Sequence, residues 1–323
     1  MEFTFSKIII GTEPNNEWHS THLTLYTIFF IIINQTDLPI SEQIKLYNTM
    51  VVPTLNYGAE IFGFHECKDI ELIHNKFCRK ILCVKKSTNI DALNGELGLL
   101  PMSIQRKIIL IKYWSKILRS KEDSLLHQLY NILKAMTDNG SQNKTNWTYN
   151  IKVTLQECGL NQIWLNHQTE PINTSQIIQR ITDIYQQSWY FRINNSSKLQ
   201  SYSLFKHSYT REPYLDYITT KKYRIALTKL RVSSHSLHIE TGRYINTPRA
   251  LRTCTNCNMN QPETEYHFIL TCPKFKDIRK LYLKPYYCRW PNINKFINIM
   301  NDKNKKNIIN LSKYIYNAFN ERL

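Results

Sequence analysis

Apolar residues recur at helical spacing along most of this chain. From Pro39 and Ser41, a favourable helix start, Ile44, Tyr47, Met50 and Val51 mark an amphipathic helix that Pro53 interrupts. It resumes through Leu55 and Ile61 and ends near Gly63. Asp69 opens the next helix, with Ile70, Ile73, Phe77 and Ile81 on one face. Thr88 or Asn89 caps a short helix that Gly95 and Gly98 terminate. A third long helix starts at Ser103, behind Pro101, and carries Ile108, Ile111, Trp114 and Leu118. A fourth carries Leu125, Leu126, Leu129, Leu133 and Met136 and closes at Asp138-Asn139-Gly140.

Further along, residues 138–148 are polar and turn-rich and read as a linker. Helices follow at 149–158, stopped by Gly159, and behind a Thr174 cap, where Ile177, Ile181, Ile184, Tyr185 and Trp189 form a core stripe. A terminal helix over 307–323 presents Ile309, Leu311, Tyr314, Ile315 and Phe319. The pattern predicts a mainly α fold: helical bundle units, then a small metal-binding module and a last helix. The expected division is a truncated N-terminal remnant at 1–38, with a short strand at 7–11, and a helical unit at 39–137. The linker at 138–148 and a helical connector at 149–232 come next. A basic arm with the metal module fills 233–300, and the C-terminal helix 301–323.

Composition narrows this picture. A chain of 323 residues with 42% hydrophobic content can bury a sizeable core, and only 8 glycines disfavour hairpins and Gly-rich phosphate loops. The longest apolar run, 23–33, is too short to span a bilayer and reads as a buried helix or a strand. Of the 8 cysteines, Cys67, Cys78, Cys83, Cys158 and Cys288 lack framework spacing, which points to a reducing, intracellular compartment, nuclear or cytoplasmic. No membrane partner is expected.

Charge points to the partner class. Lys and Arg number 42 against 25 Asp and Glu, a formal net charge of +17, which fits a polyanion partner, although dispersed cations also serve plain solubility. Lys76, Arg79, Lys80, Lys85 and Lys86 make a basic helix face that is either solvated or in phosphate contact. The most one-sided stretch is 219–252. There Lys221, Lys222, Arg224, Lys229, Arg231, Arg243, Arg249 and Arg252 accompany a single acid, Glu240, with Tyr223, His235, His238 and Tyr244 interleaved. Strand-binding surfaces need that mixture, cations for phosphates and rings for bases.

The basic stretch runs into Cys254-Thr255-Asn256-Cys257, with His267 and Cys272 beyond. Three thiolates and one imidazole at this spacing complete the closed tetrahedral shell of a structural zinc ion and leave no position for a reactive water. On one unbroken helix His267 and Cys272 would point apart by about 140°, at ~100° per residue. Pro273 supplies a break, so Cys272 is expected at the junction of two helices.

Several segments in order resemble the region downstream of the polymerase domain in LINE-type non-LTR retrotransposon reverse transcriptases. They are Val51 to Glu60 (VVPTLNYGAE), Phe77 to Thr88 (FCRKILCVKKST) and Gly95-Glu96-Leu97-Gly98 with Pro101. Leu230 to His235 (LRVSSH) with Ile239-Glu240 and Gly242-Arg243, and the Cys-Cys-His-Cys unit with His267-Phe268-Ile269-Leu270, complete the set. The resemblance implies a thumb-like helical unit at 39–137, a connector, and a CCHC zinc module that helps hold element RNA or target DNA. It also implies a partner in a separately encoded polymerase portion.

No Asp-Asp pair occurs, so the two-metal carboxylates of a polymerase palm are absent and nucleotide transfer is not expected from this polypeptide. The expected function is therefore RNA or DNA binding by a non-catalytic fragment. The alternatives are a metal-dependent nuclease built on Glu263, Glu265 and Asp277, or a remnant without a selected role.

Overall fold

The computed structural model describes residues 38–140, 146–166 and 172–322. The expected strand at 7–11, the apolar run at 23–33 and the middle of the linker, 141–145, lie outside them. The described chain is mainly helical, and its one β pairing among those residues is an isolated antiparallel bridge from Thr253 to Pro262. Among the described residues no helix is long and apolar enough to cross a membrane.

Helix α1, Ile40–Leu46, runs through a π-helical turn at Tyr47–Val51 into α2, Val52–Leu55, and α3 follows at Ala59–Phe62. Pro53 has no N–H to give. The widened turn places it at the start of α2, where none is needed. Next come α4 (Lys68–Leu82), α5 (Ile90–Leu97), α6 (Met102–Leu118), α7 (Leu125–Asp138), α8 (Trp147–Glu157), α9 (Asn161–Asn166) and α10 (Thr174–Asn195). Side chains cap several starts: Asn89, one of the two caps expected there, accepts from the Asp91 N–H, Ser124 from His127 and Asn146 from Thr148.

The chain divides into two compact units that do not follow the boundaries read from the sequence. Of the described residues, one holds 45–74, 100–140, 146–166 and 172–188, the other 38–44, 75–99 and 189–322. Residues 39–137, expected as a single unit, are shared between them. The physical reason is long-range pairing that no local pattern displays. The Trp189 indole donates to the Asp91 carbonyl at 2.9 Å, and Arg192 grips the Asp91 carboxylate at 2.8 Å, tying 75–99 to the chain beyond 189.

The first unit is organised by tryptophan. Trp114, Trp147 and Trp164 are buried with Leu110, Ile111, Ile151 and Leu155. Each indole finds an oxygen: Tyr130 hydroxyl at 3.2 Å, Glu60 carbonyl at 2.9 Å and Asp138 carboxylate at 3.0 Å, respectively. Helix α7 turns Tyr130 and Thr137 inward and leaves Leu125, Leu129, Ile132 and Met136 exposed, so its apolar stripe is not the face that meets the core.

The second unit adds α11 (Gln200–Phe205), α12 (Tyr214–Tyr217), α13 (Lys221–Arg231), α14 (His238–Thr241), α15 (Lys276–Tyr282), α16 (Pro285–Cys288), α17 (Ile293–Met300) and α18 (Lys305–Arg322). Its longest contact is α13 along α18. Gly98 ends α5 in the left-handed region, φ 64°. Gly95 is no terminator: it lies inside α5, where a β-carbon would come within 2.7 Å of Trp189 and Tyr202. That helix needs a bare surface, and only glycine provides one.

At the centre of this unit is a buried charge group. The Arg231 guanidinium, 1% exposed, bonds both carboxylate oxygens of Glu96, reaches Glu212 at 2.9 Å, and donates to the Met300 carbonyl at 2.8 Å. Phe205 and Tyr214 lie against its faces at 4.6 and 5.1 Å. Lys206, equally buried, pairs with Glu212 and donates to the Thr210 carbonyl, while the Tyr214 hydroxyl completes Glu96 at 2.7 Å. Two cations and two carboxylates balance, which is what permits their burial.

Arg231→Ala should therefore destabilise the protein by about 3–5 kcal/mol, because it strands buried carboxylates; urea unfolding followed by circular dichroism measures it. Burial alone would raise the Glu212 carboxyl, but Arg231 and Lys206 overcome this and hold it below the ordinary range. Its contribution is then fully present above the unfolded value of about 4.3 and is lost as the pH falls through the lower folded value. Glu212→Gln should lower stability at neutral pH and flatten the acid limb of the urea-midpoint profile.

Candidate metal centre and its basic flank

Residues 252–263 fold back on themselves. The Cys254 N–H donates to the Gln261 carbonyl at 2.9 Å and the Glu263 N–H to the Arg252 carbonyl at 2.8 Å, so Cys254 and Cys257 sit in a tight knuckle. Asn260 turns its tip with φ 51°, a conformation asparagine tolerates better than most residues. Thr264 then caps the next turn, its hydroxyl accepting the His267 N–H at 3.1 Å.

That turn is π-helical, His267–Thr271, and closes with the Cys272 N–H on the His267 carbonyl at 2.8 Å. The wider turn is how a five-residue separation brings both side chains to one point. Cys272 leaves in an extended conformation, ψ 119°, and Pro273 starts a short 3-10 turn ahead of α15, so the expected junction at Cys272 is observed.

The four donor atoms of Cys254, Cys257, His267 and Cys272 all lie within 4.8 Å of one another. Cys254 Sγ and Cys272 Sγ are 4.0 Å apart, and Cys257 Sγ is 3.4 Å from His267 Nε2. A tetrahedral ion with arms of roughly 2.0–2.3 Å needs edges of about 3.4–3.8 Å, so the cluster fits such an ion with little rearrangement. Thr271 Oγ1 lies 2.9 Å from His267 Nδ1 and can donate to the His267 carbonyl at 3.3 Å. The hydroxyl can then accept the Nδ1 proton and leave Nε2 bare for a metal.

Electrostatics agree. Burial pushes the Cys254 thiol up to about 12 and raises Cys272 as well, with Cys257 adding to both and Cys272 adding to Cys254, while burial lowers His267 and keeps it neutral. Three thiolates side by side are unfavourable without a cation between them. The backbone N–H groups of Asn256 and Lys274 soften this for Cys254 and Cys272. The cluster can hold a metal ion.

The surrounding carboxylates are structural braces that periodicity does not reveal. Glu263, 1% exposed, takes a bidentate pair from Arg322 at 2.8 and 2.9 Å and the His238 N–H. Glu265, also buried, bonds His235 Nε2 at 3.0 Å and the Ser201 hydroxyl at 2.6 Å. Burial would raise it, but these partners hold it below the ordinary range. Arg279 donates to the Ile269 and Cys272 carbonyls at 2.7 and 2.8 Å, and the Tyr314 hydroxyl to Phe268 at 2.6 Å. The knuckle is thus tied to the end of α18. Asp277, by contrast, is open to solvent and near only Lys280. The nuclease alternative loses two of its three carboxylates to these internal pairs.

The cations expected at phosphates are placed unequally. Lys221 and Lys222 are exposed, the Lys222 ammonium lying 5.1 and 5.0 Å from the Tyr223 and Tyr316 rings. Lys229 and Arg249 are half-buried; Arg224 spends one nitrogen on the Ile218 carbonyl at 3.0 Å. Arg252 donates to the Thr247 and Ile239 carbonyls, both at 2.8 Å, and Arg243 to the Ser197 carbonyl and hydroxyl at 3.2 Å. Arg231 is corrected outright: it is internal and meets carboxylates, because burying a guanidinium among Glu96, Glu212 and two rings leaves no route to solvent.

Three segments remote in sequence meet beside Arg243. The Lys85 backbone N–H donates to Ser234 Oγ at 3.0 Å and its ammonium to the His235 carbonyl at 3.1 Å. Lys198 reaches the Ser87 carbonyl at 2.7 Å, and Ser87 lies 3.3 Å from the Tyr244 hydroxyl. Lys198, Arg243 and exposed Tyr244 thereby share one flank, exposed Lys86 adjoins it in the chain between Lys85 and Ser87, and sequence reading missed Lys198 altogether. His238 Nδ1, 2.9 Å from the Thr253 carbonyl, joins this flank to the knuckle.

The chain should take up one metal equivalent, and chelation should unfold the segment from Arg252 to Cys272, since such ions are worth roughly 10–16 kcal/mol. Because thiols must lose protons to bind, uptake should weaken as pH falls, and Cys257→Ser should weaken it further; elemental analysis and a competing chromophoric chelator report both.

Compared with protein-family models, curated proteins and solved structures, the chain matches none.

Proposed function

We propose that this protein binds RNA or DNA through the basic flank of its Cys3His knuckle, and that the resident ion is zinc. The observation that carries the reading is the joining of the 85–87 turn, Lys198, and Arg243 with Tyr244, from three separate segments, on a flank that the His238–Thr253 contact and the Glu263 bonds to His238 and Arg322 tie to the knuckle. Three sulfurs and one nitrogen suit zinc by softness and by geometry, and a closed donor set suits a structural ion. Zinc here fixes the angle of a cationic surface, and phosphates supply the binding energy. The formal charge of +17 supplies long-range attraction to such a partner.

The resemblance to the region downstream of the polymerase domain in LINE-type reverse transcriptases fits this reading. Two of the segments that carry it, 77–88 and 230–235, are hydrogen-bonded to each other through Lys85, Thr88 and Ser234. In that setting the chain would hold element RNA or target DNA beside a polymerase portion supplied by another polypeptide. The cations that serve it are Lys221, Lys222, Arg224, Lys229, Arg243, Arg249 and Arg252, with Lys86 and Lys198 added and Arg231 removed.

Fluorescence anisotropy with a labelled single-stranded oligonucleotide, titrated at several salt concentrations, tests the reading. Affinity should fall steeply with salt, and Arg243→Ala or Lys198→Ala should each reduce the slope of log affinity against log salt by about 1. Affinity indifferent to salt, or unaffected by both substitutions, would sink the proposal.

A further inference from the structure

The corner between α15 and α17 carries a second feature that the basic flank does not use. Trp290 is 82% exposed, whereas Trp114, Trp147, Trp164 and Trp189 are buried. Its φ of 54° lies in the left-handed region, which bulky side chains rarely adopt, and Pro291 follows directly. A large ring turned fully to solvent by an unfavourable backbone conformation is not what core packing selects, and strain of this kind gathers at binding sites.

The corner is held firmly. The Arg289 N–H closes α16 on the Pro285 carbonyl at 3.0 Å, and Asn292 caps α17 through the Lys295 N–H at 2.9 Å, so Trp290 sits between two anchored ends. Leu283 at the C-cap of α15, Tyr287 on α16 and Phe296 on α17, the three helices that meet there, are buried. Helix α16 packs on the π-helical turn that carries His267, which links the corner to the metal centre.

Four residues before Trp290, on α16, stands a second exposed ring, Tyr286, with the Lys295 ammonium 4.6 Å from its centroid. Residues 280–295 hold Lys280, Lys284, Arg289 and Lys295 and no acid. An open indole and a half-exposed phenol ring that already carries an ammonium, among four cations, match a chain of stacked bases with phosphates between them. An amphipathic surface for a bilayer fits less well, because α15 and α16 are too short to lie along an interface.

We propose that Trp290 and Tyr286 form a stacking platform for unpaired bases, with Lys284, Arg289 and Lys295 meeting the flanking phosphates. The proposal rests on the nucleic-acid reading above and assigns that partner a single-stranded segment at a place apart from the Arg243 flank.

The test uses the full zinc-loaded chain with oligo(dT), oligo(U) and a duplex of the same length, followed by anisotropy and by tryptophan emission. Trp290→Ala should weaken single-strand binding about 5- to 150-fold, the range for one stacked base, without changing the salt slope, whereas Arg243→Ala changes the slope. Trp290→Phe should restore most of the affinity. The part of the emission that Trp290→Phe removes should be quenched by oligo(dT) in the wild-type chain and much less by duplex. Zinc content and circular dichroism confirm that each variant is folded.

If Arg243→Ala weakens binding while Trp290→Ala stays within twofold of wild type, the platform is wrong and the nucleic-acid reading survives. If the wild-type chain binds neither single strands nor duplex, both fall. Quenching of Trp290 by anionic phospholipid vesicles but not by oligonucleotides would overturn the platform in favour of a membrane surface.

Discussion

Three sulfurs and an imidazole nitrogen within 4.8 Å of one another form a constraint that the surrounding chain cannot relax. Packed together as anions they repel, and packed together as thiols they leave a poorly bonded polar pocket. A cation resolves both costs, and the local backbone is shaped to admit one. The π-helical turn, the extended Cys272 and the Asn260 tip each bring a donor inward that a regular helix or hairpin would turn away. Around this point the second unit adds Arg279 on the turn's carbonyls, Tyr314 on Phe268 and Arg322 on Glu263. The last helix is thereby tied to the knuckle at several places along its length.

The same unit shows how misleading a count of charges can be when read by position. Among the described residues, four bases are buried, Arg106, Lys206, Arg231 and Arg279, and four acids, Glu96, Glu240, Glu263 and Glu265. Burial removes equal numbers of each sign, so the cationic excess of the sequence remains at the surface. What changes is which residues carry it. Arg231 sits amid the most basic stretch of the chain, yet its energy goes into Glu96 and Glu212, while Lys198, in an unremarkable polar segment, lies beside Arg243.

Much of this was legible in the sequence where the controlling interaction is local. The helix start at Asn89, the left-handed stop at Gly98, the break at Pro273 and the four ligands follow from backbone chemistry within a few residues. Where a distant partner decides, the pattern misleads. Gly95 reads as a stop but makes room for Trp189 and Tyr202, which arrive from about a hundred residues away. Helix α7 has a clear apolar stripe, yet Tyr130 and Thr137 turn inward, because Trp114 needs the Tyr130 hydroxyl and Asn146 and Thr148 bond Thr137. Glu263 and Glu265, which the sequence offers as carboxylates of a nuclease, are instead buried, because His235, His238, Ser201 and Arg322 converge on them.

These carboxylates bear on how the metal and the basic flank act together. Glu263 touches the knuckle through Asn256, the start of α14 through the His238 N–H, and α18 through Arg322. Glu265, two residues on, reaches His235, whose carbonyl in turn accepts the Lys85 ammonium. A rigid chain of charge-assisted bonds thus runs from the ligand turn to the flank where Lys198 and Arg243 lie. An ion held by the cluster would need no contact with the flank to steady it: by fixing the turn that bears Glu263 and Glu265, it would fix the positions of cations it never touches.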